Sequence, residues 1–217
     1  MLRAAVDLAD RDGLDGLTMR RLAQELDVEA MSLYHHVANK DAVLDGIVET
    51  VVGEVIAAAA ELDGPDPATD WRGALRARVL TARSVMLRHP WAPRVIETRS
   101  NMTPTIITWF DQVLGVLRAG GMSWDLAHHC MHALGSLALG FQQELFVPAT
   151  EEQDAESTAM LEAMGEHFPN LVGMLGAIAH TDGPEQTLGW CDDQTEFEFT
   201  IVALIDGLAR RLEAERA

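Results

Sequence analysis

The sequence predicts an all-α protein, with an N-terminal three-helix helix-turn-helix domain followed by a larger helical domain. Three observations carry that expectation. Nearly half of the 217 residues are apolar, and alanine and leucine outnumber the β-branched residues, which favours helices. Apolar positions recur at helical spacing along most of the chain. No stretch shows the apolar–polar alternation of a half-buried strand, and no internal repeat is present.

The elements follow in order. Met1 leads into a charged amphipathic helix. Thr18 precedes Met19, Leu22, Ala23 and Leu26, an apolar set at helical spacing, and a threonine there caps the helix start. This second helix stops near Asp27, where a tight turn needs a residue that tolerates positive φ. Val28 is expected to face the core. Glu29 opens a short third helix that sends Leu33 and Val37 inward. Ala30, Met31, Ser32, Tyr34, His35 and His36 then face outward, small or polar-aromatic side chains that fit a DNA major groove. Asn39 caps a long fourth helix that opens on Lys40, the chain's only lysine. A helix N-terminus with a lysine beside it is a natural phosphate site.

The fourth helix runs to about Leu62 on an apolar stripe of Leu44, Ile47, Val48, Val51, Val55 and Ile56. Residues 63–67, Asp-Gly-Pro-Asp-Pro, form the clearest break in the chain. Asp70 caps a helix through Arg88, which His89-Pro90 ends. Further helices are expected from Thr103 to Ala119, from a Ser123 cap through Trp124 to Leu145, and from Asn170 to His180. The segment 149–167 is acidic and polar, a loop with a short helix, and Asp182-Gly183-Pro184 makes a turn. Cys191 or Asp192 opens the last helix.

The run SLYHHVANKDAVLDGI, Ser32 to Ile47, resembles the recognition helix and following helix of the tetracycline-repressor (TetR) family. HPW (His89 to Trp91), GMSW (Gly121 to Trp124) and FEFTIVALIDGL (Phe197 to Leu208) resemble its C-terminal domain more loosely. The resemblance implies a DNA-binding domain over 1–46 and a ligand-binding and dimerisation domain over 47–217. It implies that Ala30, Met31, Ser32, His35 and His36 face base edges. Tyr34 and Lys40 would hold the DNA backbone, and Thr18 and Arg20 would touch phosphate or neighbouring bases. The sequence departs from the family pattern at Asp27, where glycine is usual. It also departs at its start, where Met1 runs straight into LRAAVDLADRDG and many members carry a basic arm.

The stripe Phe197, Ile201, Leu204, Ile205, Leu208 and Leu212 suits either an internal core or a partner, and periodicity leaves both open. The resemblance points to a homodimer whose interface includes Phe197, Ile201, Leu204 and Leu208, reading a palindromic double-stranded operator. Aromatic and sulfur residues are dense between 86 and 146, which on composition alone reads as a helical core with methionine as filler. The resemblance implies a cavity there, with Met86, Ile106, Trp109, Phe110, His132, Ser136 and Phe168 as its lining. Few charges fall in that set, so the effector is expected to be a small apolar or aromatic molecule.

The net charge of −18 runs against DNA binding at first sight. Residues 1–40 hold five basic and seven acidic residues, a net of −2, which leaves −16 on the remainder. Four of the five N-terminal cations (Arg3, Arg20, Arg21 and Lys40) lie at helix starts and are expected to meet phosphate, while the acidic body repels DNA elsewhere. Two cysteines, Cys130 and Cys191, give no disulfide framework. No apolar run reaches the ~18 residues of a membrane span, so a cytoplasmic protein with no membrane partner is expected, from a GC-rich bacterial genome by its arginine-for-lysine usage. His128, His129 and His132 cluster on one helix, but no Cys-x-x-Cys or His-Glu-x-x-His accompanies them, and neither metal nor cofactor is expected. There is no Gly-x-Ser-x-Gly and no phosphate-cradling loop, so an enzyme is not expected. The expected function is a ligand-responsive transcriptional repressor. The rival is a helical metal-carboxylate enzyme, or a partner-binding module, whose N-terminus only mimics the motif.

Overall fold

The computed structural model describes residues 1–99, 102–140, 167–178 and 193–217, and these are helical with no strand among them. Helix α1 (Leu2–Gly16) buries Ala5, Val6, Leu8 and Ala9, and it kinks at Gly13, whose φ of 70° is open to glycine at little cost. Helix α2 (Met19–Glu25) starts where Thr18 Oγ1 accepts the Arg21 amide at 3.2 Å.

The turn after α2 is a Schellman motif. The Asp27 amide donates to Gln24 O at 3.1 Å, and the Val28 amide donates to Ala23 O at 3.0 Å. Asp27 takes the left-handed position at φ 53°, alone among non-glycine described residues. That turn corrects one expectation. Val28 is 44% exposed rather than inward, because the left-handed residue rotates the chain away from the α2 apolar stripe.

Helix α3 (Ala30–Leu33) is a single turn, continued as turns through His36, and Leu33 anchors it in the core. Helix α4 (Lys40–Ala60) is capped by Asn39, whose Oδ1 accepts the Ala42 amide at 2.9 Å. It buries Val43, Ile47, Val48, Val51, Val52, Val55 and Ala59. So many β-branched residues lower helix propensity, and packing on several sides holds this helix instead. Gly46 allows the close approach of α1, since a Cβ there would come within 2.5 Å of the Leu2 side chain.

Helix α5 (Trp71–Arg88) starts at Asp70, whose Oδ1 accepts the Gly73 amide, and stops at His89 as the His-Pro pair predicts. A seven-residue helix, α6 (Ala92–Thr98), was not expected from the sequence; it follows the corner at once and buries Ala92, Pro93 and Val95. Helix α7 (Pro104–Ala119) starts one residue later than expected, with Thr103 as its cap, and α8 (Trp124–Gly140) begins at the predicted cap Ser123. Helix α9 spans Pro169–Ile178 and α10 spans Asp193–Arg216. Residues 149–166, His180, the Asp182-Gly183-Pro184 turn, Cys191 and Asp192 lie outside the described residues.

Residues 1–141 with 200–217 form one compact unit, and 142–199 form a second. Within the first, one continuous core joins α1 through α4 to Val85 of α5, Trp91, and Ala92 and Val95 of α6. The helix-turn-helix therefore shares its interior with the α5–α6 corner. At the far end, the last turns of α10 meet the α7–α8 turn, where Ser123 Oγ donates to Glu215 at 2.8 Å and Arg216 donates to Gly120 O at 3.0 Å.

Candidate nucleic-acid interface

Leu33 inward and its neighbours outward define the face of α3. Met31 is 72% exposed and Tyr34 45%; Ser32, His35 and His36 are also exposed. Ala30 alone of the expected groove-facing set is half-buried, packed against the core. Thr18, Arg20 and Lys40 are exposed at or beside the starts of α2 and α4. The Thr18 oxygen accepts from the backbone, and its own O–H remains to donate to an anion.

The five cations of residues 1–40 fall into two groups. Arg3 pairs with Glu54 at 2.7 Å, Arg11 with Glu25 at 3.0 Å, and Arg21 with Asp12. The Arg11 hydrogen bond holds the Glu25 carboxyl below the usual carboxylate range. Arg20 makes no ion pair among the described residues, and Lys40 makes only a long contact, 3.5 Å, to the Leu14 carbonyl. Position at a helix start thus overstates the supply of phosphate contacts. Arg3 and Arg21 are tied to carboxylates of the same chain, while Arg20 and Lys40 have no such tie among the described residues.

Two polar ties fasten this region to later helices, and sequence reading missed both. At the α5–α6 corner, His89 is 5% exposed; its Nδ1 lies 2.9 Å from both carboxylate oxygens of Asp10 on α1, and its Nε2 lies 3.2 Å from Glu54 Oε2 on α4. The Trp91 indole N–H donates to Asp10 Oδ1 at 2.6 Å. After α6, Arg99 Nη1 lies 3.3 Å from both Asp41 Oδ1 and Asp45 Oδ1 in the first turns of α4. HPW carried a signal at sequence level, but only as a likeness to other chains, with nothing to name its partner.

The expected cavity residues separate. Met86, Ile106 and Trp109 are part-buried against the same core. Phe110, His132 and Ser136 are exposed in the single chain, as is Phe168 in the second unit. Of the expected interface set, Phe197, Ile201 and Leu208 are buried within one chain and Leu204 is half-buried. Phe197, Ile201 and Leu208 are therefore covered by their own chain, and the large apolar residues that α10 leaves exposed are Phe199 and Val202. On α8 the outward residues include Trp124, His128, His129 and His132; the His128 and His132 rings lie 4.6 Å apart, edge to face. Among the described residues no group of three or more histidines, cysteines or carboxylates is placed to hold a metal. Burial pushes the Cys130 thiol up to about 12, which keeps it protonated and unreactive. No described helix is long and apolar enough to cross a membrane.

Comparison with known proteins places this geometry. The family model for bacterial regulatory proteins of the tetR family matches residues 1–47, and that for the tetracyclin repressor-like C-terminal domain matches 64–212. An HTH-type transcriptional regulator of Saccharopolyspora erythraea is 40% identical over 121 residues, 56% of this chain and 49% of that protein. The HTH-type transcriptional repressor DrrR1 of Streptomyces coeruleorubidus is 35% identical over 57% of this chain and 44% of its own length. The match thus spans about half the length of these two relatives. Tetracycline repressor protein class D of Escherichia coli is 30% identical over 86% of this chain and 81% of its own. Among solved structures, apo ActR from Streptomyces coelicolor superposes with a TM-score of 0.79 at 28% identity, covering 100% of this chain and 95% of that one. ActR in complex with actinorhodin gives 0.75 at 28% identity, covering 96% and 92%.

Proposed function

We propose a function from one premise: this chain belongs to the tetracycline-repressor (TetR) family of bacterial regulatory proteins. It acts as a ligand-responsive transcriptional repressor, a homodimer that binds a palindromic operator in the cytoplasm. Residues 1–46 read the DNA. Ser32, His35, His36 and Met31 meet base edges, with Ala30 closing the inner side of the groove contact. Tyr34, Thr18, Arg20 and Lys40 hold the backbone. Residues 47–217 bind the effector and the partner subunit. The observation that carries this reading is the pairing pattern of the five N-terminal cations: Arg20 and Lys40, beside the exposed α3 face, are the two with no carboxylate partner among the described residues.

The effector is a small apolar or aromatic molecule that meets Met86, Ile106 and Trp109, with Phe110 beside them. ActR, similar along its whole length, is known in complex with actinorhodin, which supports a small-molecule effector here. The effector acts by linkage, favouring a separation of the two reading heads that the operator does not. Partner contact through α8 and α10 uses the outward residues Trp124 and Val202 with Leu204 at the edge.

The test is selection of bound duplexes from a random pool, followed by a salt titration of the selected duplex. Two free cations per subunit predict about four neutralised phosphates per dimer and a log–log slope of about −4. Recovery of no enriched palindrome would overturn the reading. A slope near that of eight or more contacts would show that Arg3 and Arg21 leave their carboxylates on binding.

A further inference from the structure

The His89 cluster joins three elements of one compact unit: α1 through Asp10, α4 through Glu54, and the α5–α6 corner through His89 and Trp91. Both ring nitrogens of His89 face carboxylate oxygens within hydrogen-bond reach. A neutral imidazole carries a single N–H, so one nitrogen would turn a bare lone pair onto a carboxylate in a buried site. The imidazolium donates on both sides and removes that conflict. Asp10 and Glu54 face the ring on its two sides, and Arg3 (2.7 Å) and Arg88 (3.5 Å) also lie against Glu54, which leaves Asp10 as the carboxylate not shared with an arginine among these contacts.

We propose that His89, held as an imidazolium, is a positioning residue that sets the angle of the DNA-reading head against the body. The inference rests on the DNA-binding reading above. Its physical basis is the direction of the bonds. Asp10 lies on α1, which packs on α4 and on α2. His89 Nδ1 and Trp91 Nε1 both grip Asp10 from the start of α6. A displacement of the α5–α6 corner therefore pulls on α1 directly, beside whatever passes along α4. The corner also abuts the expected effector residues, since Met86 is three residues before His89 and packs on the same core as Trp91. One charge-assisted bond from His89 Nδ1, shared between the two Asp10 oxygens, and one indole bond converge on a single residue of α1, so the head is held at a point and not along a soft apolar face.

Two measurements on the full-length protein test this. The first is the ¹⁵N spectrum of the His89 ring at neutral pH. Both nitrogens are expected to carry protons; a ring with one bare nitrogen overturns the proposal. The second uses the duplex selected by the wild-type protein and the same duplex with its half-sites moved one base pair closer or further apart. Wild type is expected to lose about tenfold in affinity on the shifted duplexes. His89→Gln keeps one donor and loses the double grip, and should flatten that discrimination to about threefold or less. Trp91→Phe, which keeps the ring and removes the N–H, serves where His89→Gln does not fold, and should flatten it in part. A purely structural role would weaken all three duplexes by the same factor, and that result overturns the proposal. A wild type that selects no duplex overturns the DNA-binding reading itself. A wild type that discriminates beside variants that discriminate equally overturns the clamp alone.

Discussion

The head of this molecule has two faces built from similar residues and used in opposite ways. On the rear, Arg3, Arg11, Arg21 and Asp10 are all engaged with partners of the same chain. On the front, Thr18, Arg20, Ser32, Tyr34, His35, His36 and Lys40 are exposed, and neither cation is ion-paired to a carboxylate among the described residues. On the proposed function, the difference is what lets so acidic a chain offer a face to DNA. Local net charge matters less than which cations have been neutralised internally. A carboxylate paired with Arg20 or Lys40 would have to be displaced before phosphate could bind, and among the described residues neither is so paired.

The comparison can be broken from the front first. Lys40→Ala combined with Arg20→Ala should reduce affinity for every duplex, by about a hundredfold at moderate salt, and lower the salt slope by about one unit per lost contact. Gel shift at several salt concentrations reads both, and loss confined to some sequences would argue for base contacts instead. From the rear, Asp10→Asn leaves His89 and Trp91 without their anionic acceptor and should cost about 2 kcal/mol of folding stability, with little change in the salt slope. Urea unfolding measures the first and DNA titration the second.

A smaller effect of opposite sign is expected between the two faces. Asp27→Gly removes a Cβ from the left-handed turn position and should stabilise by about 1 kcal/mol. The smallest effect is acid dependence. Burial disfavours the Glu54 charge, but hydrogen bonds from His89 and Arg3 prevail and hold its carboxyl below the usual range. Its folded value is lower than its unfolded one. The stability it contributes is therefore complete above the ordinary glutamate range and is lost as pH falls through the lowered folded value. Glu54→Gln should remove that part of the acid slope in unfolding measured across the acidic range.

The residues that sequence reading placed well are those whose signal is local. Thr18, Asn39, Asp70 and Ser123 each cap the helix that follows, and each acts on an amide three residues on. The left-handed turn at Asp27 is likewise a property of a few consecutive residues. Failures begin where the decisive partner is far along the chain. His89 and Asp10 are 79 residues apart, and nothing near either names the other. Helix α6 is only seven residues long, with Pro93 near its start, too short for periodicity to register beside the His-Pro stop. The α10 stripe was legible as apolar, but periodicity cannot say whether a buried face is covered by its own chain, and Phe197, Ile201 and Leu208 are. Val28 failed because one left-handed residue reset the phase of the helix before it.

The first turn of α4 places two opposite attachments side by side. Lys40 is turned to the outside, while Asp41, its neighbour, is held by Arg99 from beyond α6. In genetic terms these positions are one locus. A screen for lost operator binding should return substitutions at Arg99 together with those at Lys40, although Arg99 reaches α4 through Asp41 and Asp45. A second-site change that restores a cation near Asp41 should rescue the first class and leave the second untouched.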